Sequence, residues 1–94
     1  MSLMFDYVPK IKKLCERMKK ISGGMILVTA SGMTPENLKL NISMLKTHDQ
    51  WNTAYDRLVD EDNESEIEEN YKAALALVDK QEAAFIEIAQ TIKK

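Results

Sequence analysis

His48 is the only histidine in the chain, which makes it the first candidate for chemistry. A phosphotransfer domain presents one such histidine on a helical bundle. It normally follows that histidine with a lysine and a small residue, so that the phosphoryl group can approach. Here Asp49, Gln50 and Trp51 follow instead and supply negative charge and bulk. The pattern therefore favours a structural or surface histidine.

The other polar residues show no pattern typical of a metal or nucleotide site. A helical carboxylate cluster needs a Glu-x-x-His pair, but Leu45 stands three residues before the histidine. The acidic segment 60–64 lacks the glycine and the regular spacing of a calcium loop. Gly23-Gly24 is not followed by the Lys-Ser/Thr of a phosphate loop. We therefore predict no metal, no cofactor and no enzymatic activity.

Cys15 is the only cysteine, so it forms neither an internal disulfide nor a zinc site by itself. Its place beside Leu14 is typical of a small buried side chain. A small domain without disulfides favours a reducing setting, so we expect an intracellular, cytoplasmic protein. No segment approaches the ~18 apolar residues of a membrane span, and the N terminus has no secretory pattern.

Six basic side chains are concentrated in the first predicted helix. They are Lys10, Lys12, Lys13, Arg17, Lys19 and Lys20. Such a cluster attracts the phosphates of nucleic acid or of an anionic surface. The alternative is a solvated face that pairs with the acidic C-terminal half, where residues 47–94 hold five Lys/Arg against twelve Asp/Glu. The absence of interleaved aromatic residues and the net charge of −2 favour the second interpretation.

Two long apolar series with three-four spacing predict the helices that position these side chains. The first series is Tyr7, Ile11, Leu14, Met18, Ile21, Met25 and Val28. The last series is Ile67, Tyr71, Ala74, Val78, Gln81, Phe85, Ile88 and Ile92. Each series lies on one stripe of an α-helix, and such stripes must be buried against other helices.

Gly23-Gly24 is the main ambiguity in the first helix, because each glycine costs about 1 kcal/mol relative to alanine in a helix interior. The alternative is a stop at Gly23 followed by a short strand over residues 25–29. We favour a continuous helix, because Met25 and Val28 keep the phase of the preceding stripe and no partner strand is evident. The glycines then mark a kink or the close approach of another helix.

Capping signals predict the ends of the first two helices. Asp6 caps the first helix, which runs over 6–30 and ends before Gly32. Thr34-Pro35-Glu36 combines an N-cap, a proline at the first helical position and an acid that complements the helix dipole. The second helix is therefore predicted over 35–59.

The third helix is predicted over 65–92, after an acidic turn. Ser65 and Glu68 have the spacing of a capping box, and Lys93-Lys94 suits the negative end of the helix. Short connections between three long helices predict an all-α, antiparallel three-helix bundle. We expect one domain over 1–94, in which Met1-Ser2-Leu3 has the form of a cloning remnant.

The second helix carries apolar residues on two sides. Leu38, Ile42 and Leu45 lie on one side, and Leu40 and Met44 lie on another. Such a broad apolar face is typical of a middle helix with two neighbours or of a helix that contributes to a dimer, and the first interpretation is the more economical. The candidate partner-binding residues on the second side are Leu40, Met44, His48, Trp51 and Tyr55.

Gln81 interrupts the third stripe at a core position. A polar residue in an apolar seam fixes register or oligomeric state in some bundles. The alternative is a position at the bundle edge, where the amide reaches water.

Leu14-Cys15, the segment Thr34-Pro35-Glu36-Asn37-Leu38 and the stretch from Trp51 to Glu69 carry a family resemblance. In these features the chain resembles the helical segment near the N terminus of BEL/Pao-type retroelement polyproteins and related nematode proteins. The resemblance implies an assembly or interaction module and assigns no functional residues.

The sequence supports three functional hypotheses. The first is a non-enzymatic helical module that binds a protein partner, itself or both. The second is a nucleic-acid or anionic-surface binder that uses the basic first helix. The third is a small inhibitor, immunity protein or phage-type regulator.

Overall fold

The computed structural model describes residues 3–30, 32 and 34–92, and it has three α-helices with a short 3-10 helix before the last one. The elements are α1 (Leu3–Ala30), α2 (Pro35–Leu58), the 3-10 helix (Glu61–Glu66) and α3 (Ile67–Ile92). No strand occurs in these ranges. The predicted all-α three-helix bundle is confirmed. The predictions on Met1-Ser2 and on Lys93-Lys94 fall outside the described residues.

The turn between α1 and α2 forms as the capping signals predict. Gly32 has a φ of 94°, a left-handed conformation that favours glycine, and its N–H donates to the carbonyl of Thr29 at 3.2 Å. The Thr34 hydroxyl accepts from the N–H of Asn37 at 3.1 Å, and Pro35 follows at the first helical position. These caps reverse the chain direction between the two helices.

The start of α3 differs from the prediction. Asp60, not Ser65, is the N-cap, and its carboxylate accepts from the N–H of Asp62 at 3.0 Å. Ser65 lies inside the 3-10 helix that follows, so the capping box with Glu68 is wrong. The acidic segment is therefore not an open turn but a helical extension that leads into α3.

The helix α3 lies in the middle of the bundle and packs against both other helices, so the interpretation of α2 as the middle helix is wrong. Its contacts with α1 show that the two helices run in the same direction. The rings of Tyr7 and Tyr71 meet edge to face with centroids 5.5 Å apart, and Gly24 lies against Phe85 farther along. Among the described residues, no Cα atom of α1 lies within 8 Å of a Cα atom of α2.

The contacts between α2 and α3 are antiparallel. Near one end, Asn37 Nδ2 donates to Thr91 Oγ1 at 2.9 Å, and farther along Gln81 Nε2 donates to the carbonyl of Met44 at 3.1 Å. The result is an elongated molecule with extents of 51 × 20 × 16 Å.

The core forms along both faces of α3 that meet the other helices. Its buried apolar residues are Ile11, Leu14, Met18, Ile21, Val28, Met44, Trp51, Leu58, Ile67, Ala74, Val78 and Ile88. The predicted stripes of α1 and α3 therefore face the core. Because burial of one Leu or Ile side chain contributes about 1.5–3 kcal/mol, these stripes account for the association of the three helices.

The predicted continuity of α1 through Gly23-Gly24 is confirmed, and the two glycines have different surroundings. A Cβ at Gly23 would meet no atom within 4 Å. A Cβ at Gly24 would lie 2.7 Å from Cε2 of Phe85 and closer still to Cζ. Gly24 therefore marks the close approach of α3, which was one of the two predicted reasons for the glycine pair.

This difference gives a matched prediction. Gly23→Ala should raise the free energy of unfolding by about 1 kcal/mol, because alanine favours the helix and meets no neighbour there. Gly24→Ala should lower it by about 1–3 kcal/mol, because the Phe85 ring must move. Urea unfolding followed by circular dichroism measures both. Equal stability of the two variants would contradict the close approach of α1 and α3.

Candidate functional site

A groove runs between α1 and α2, because these helices do not approach each other closely. At one end Val8, Lys12 and Cys15 of α1 face Tyr55 and Val59 across a cavity. The next cavity along shares both Cys15 and Tyr55 with the first. The groove is therefore continuous at this end.

The middle of the groove has α3 as its floor. Ser22 and His48 belong to both central cavities, and Gln81 of α3 lines one of them. At the far end Ile26 and Ala30 face Leu45. From Val8 to Ala30 the groove follows α1 for about 33 Å, at 1.5 Å per residue.

The outer part of each groove wall is a stripe with helical spacing. On α1 this stripe is Val8, Lys12, Cys15, Lys19, Ser22, Ile26 and Thr29. On α2 it is Asn41, Leu45, His48, Asn52, Tyr55 and Val59. Core residues of both helices, among them Met18, Met25, Met44 and Trp51, line the cavities as well. Both stripes lie next to the core stripes of the same helices. The groove is thus a mixed apolar and polar surface above a closed core.

The predicted partner-binding residues divide between the core and this groove. Met44 and Trp51 are only 3% and 6% exposed, so they belong to the core and leave little surface open to a partner. Together with Asn37 and Leu58 they form a series with a spacing of seven residues, and this series faces α3. Leu40 is half-buried and packs against the core.

His48 and Tyr55 also line the groove, whose central cavities include Met44 and Trp51 as well. Both His48 and Tyr55 are half-buried, and the Tyr55 ring lies 5.7 Å from the Trp51 ring, centroid to centroid. The neighbouring Cys15 side chain and burial both raise the pKa of the Tyr55 phenol. Cys15 and Tyr55 lie on opposite walls and line the same two cavities.

The exposed apolar surface lies on the other side of α2 from the one that the sequence favoured. Leu38, Ile42 and Leu45 are 48%, 55% and 60% exposed, and Ile26 of α1 is 70% exposed. The spacing of the three α2 residues was visible in the sequence as a separate apolar side. The spacing alone does not show which of the two sides is buried. In the structure, α3 covers only the side with Met44.

Gln81 lies on the groove floor and is only 5% exposed, so the alternative of a water-exposed edge position is wrong. Its Nε2 donates to the carbonyl of Met44, which fixes α3 against α2. Its Oε1 is buried and accepts no hydrogen bond from the described part of the chain. An unsatisfied buried acceptor costs about 1–3 kcal/mol.

The predicted basic cluster is divided among three environments. Arg17 pairs with Asp79 at 2.8 Å and with Glu82 at 3.3 Å, and the hydrogen bond with Asp79 raises the pKa of the guanidinium. Lys10 lies over the rings of Tyr7 and Tyr71. Arg17 thus confirms the predicted pairing of the basic helix with acidic residues of the last one.

The other four lysines have no part in that pairing. Lys12 and Lys19 line the groove, whereas Lys13 and Lys20 are exposed and belong to none of its cavities. The six basic residues thus point in several directions around α1 and do not form one continuous basic surface.

Comparisons with known proteins add no relative. No family model, no curated protein and no solved structure matches the chain. The resemblance to BEL/Pao-type polyproteins stays a prediction.

Within the described ranges, no group of three or more His, Cys, Asp or Glu side chains is placed to hold a metal ion. None of the described helices has the length and apolar character that crossing a bilayer requires. Over the residues that the structure describes, fold and site together define an all-α three-helix bundle with an open groove between α1 and α2.

The unsatisfied amide on the groove floor gives a second prediction. Gln81→Met keeps the length of the side chain and removes the buried acceptor, so the free energy of unfolding should rise by about 1 kcal/mol. Chemical denaturation at low protein concentration measures the change. A loss of stability of similar size would mean that the hydrogen bond with Met44 outweighs the unsatisfied oxygen.

Proposed function

We propose that this protein is a non-enzymatic interaction module whose groove between α1 and α2 binds another helical surface. The observation that carries the proposal is the separation of the two groove walls above a core that is already closed. Large aliphatic side chains remain exposed on both walls, and Ile26 and Leu45 border the same cavity. Exposed apolar groups that cluster in this way are typical of interaction sites.

The form of the groove suits a helical occupant. Three helices already surround it on three sides, and a fourth helical surface over the opening would complete the packing of a larger bundle. Helix-in-groove recognition uses apolar anchors spaced by three or four residues, and both walls offer side chains with that spacing. The resemblance to a retroelement assembly segment agrees with this proposal.

Nucleic-acid binding is supported less well. A phosphate backbone is tracked by a continuous basic surface, but Arg17 is paired with Asp79 and Lys10 lies over two tyrosine rings. A role as a small inhibitor or regulator is compatible with the groove, because such proteins also act by binding a protein. The single thiol at Cys15 suits the cytoplasmic setting expected from the sequence.

Photo-crosslinking in the cells that produce the chain tests this proposal. A photoreactive residue at Ser22 or Asn52, both exposed groove positions, should give covalent adducts with a protein. The same residue at Ala83, an exposed position on α3 outside the groove cavities, serves as the control. Adducts from the groove positions alone are the expected result. No adduct, or equal labelling from Ala83, would contradict the proposal.

A further inference from the structure

The two rims of the groove, which are the outer edges of its α1 and α2 walls, carry charges of opposite sign. Lys12 and Lys19 line it on α1. On α2, Asp49 and Asp56 follow the same three-four spacing as Leu45, Asn52 and Val59, which line the other wall. Within the described ranges no salt bridge involves either of these lysines or aspartates. All four charges are therefore available to a partner.

The lysines of one rim and the aspartates of the other also lie at the same positions along the length of the groove. Lys12 shares a cavity with Tyr55, which precedes Asp56 in the chain. Lys19 shares the next cavity with His48, which precedes Asp49. Because α1 and α2 run in opposite directions, each lysine on one rim is level with an aspartate on the other.

The apolar ends of the two rims are level as well. Ile26 shares the last cavity with Asn41 and Leu45, which bracket Ile42 in the chain. From one end of the groove to the other, the α1 rim therefore presents two lysines and then an apolar residue. The α2 rim presents two aspartates and then apolar residues in the same order.

We infer that the occupant of the groove is a second copy of this chain, related to the first by a two-fold axis parallel to the helices. This inference rests on the proposed function of the groove. Such an axis keeps every residue at its own height and places α1 of one copy against α2 of the other. Lys12 then faces Asp56 of the partner subunit, Lys19 faces Asp49 of the partner subunit, and the apolar ends meet.

Other symmetric arrangements of two copies pair the charges and the apolar ends of the rims less well. A two-fold axis perpendicular to the helices would place the charged end of one copy against the apolar end of the other. With the parallel axis, each lysine-aspartate pair occurs twice in the dimer, because the interface is isologous. A face about 33 Å long and ~20 Å wide corresponds to roughly 650 Å² in projection, which is close to the ~800 Å² per partner of a standard interface.

Charge reversal tests the pairing directly. One variant carries Lys12→Asp and Lys19→Asp, and the other carries Asp49→Lys and Asp56→Lys. Each variant alone places like charges against each other, so its dimer dissociation constant should rise at least about tenfold. Analytical ultracentrifugation measures the constant. All four side chains are exposed, and circular dichroism checks that both variants keep the helical fold.

Mixing the two variants is the decisive step. In the mixed dimer every reversed lysine meets a reversed aspartate, and every remaining native pair is also restored. An equimolar mixture should therefore associate within about threefold of the wild-type constant. Lys13→Asp with Lys20→Asp is the matched control, because it reverses two charges of α1 outside the groove and should leave the constant unchanged.

Several outcomes would overturn the second-copy assignment. They are a wild-type chain that stays monomeric at every concentration, a mixture that fails to associate, and an equal effect of the control variant. A monomeric chain that still gives Ser22 adducts with a different protein in cells would overturn only this assignment. In that case the groove would bind a foreign helix, and the proposed function would stand.

Discussion

The packing of α3 against two helices that do not meet each other determines the form of this protein. On one side Gly24 lets α1 approach the ring of Phe85. On the other side Gln81 donates to the backbone of α2 at Met44. Since both neighbours are fixed to α3, neither can close over the other. The groove is therefore a consequence of the core and not a separate feature.

Much of this core could be predicted from the sequence, because α1 and α3 each carry one apolar stripe. The starts of these helices could not: α1 begins at Leu3, so the predicted cap at Asp6 is wrong, and Asp60 replaces Ser65 as the cap before α3. Thr34 and Gly32 define the first turn through side-chain and backbone chemistry that is local in the chain. The continuity of α1 through its glycines also followed from the phase of the flanking residues. Local signals of this kind need no knowledge of the neighbouring helices.

The face of α2 could not be predicted in the same way, because its buried seam contains polar residues. Asn37 and Thr47 are each only 2% exposed, and their side chains bond to Thr91 and to the carbonyl of Ser43. A sequence pattern assigns such residues to solvent, since their partners lie 54 and four residues away. The side with Leu38 then looks equivalent to the true core side. Asn37 is satisfied by a tertiary hydrogen bond with α3, and Thr47 by a carbonyl of its own helix, so both can be buried.

Hydroxyl-radical footprinting of the wild-type chain across protein concentration tests the central claim most directly. Cys15, His48 and Tyr55 on the groove walls should react in dilute protein and become protected together as concentration rises. Tyr7 and Tyr71, which line none of the groove cavities, should keep a constant rate. Protection at every concentration would mean a closed bundle without a groove. Reactivity that never changes would mean that no second copy covers it.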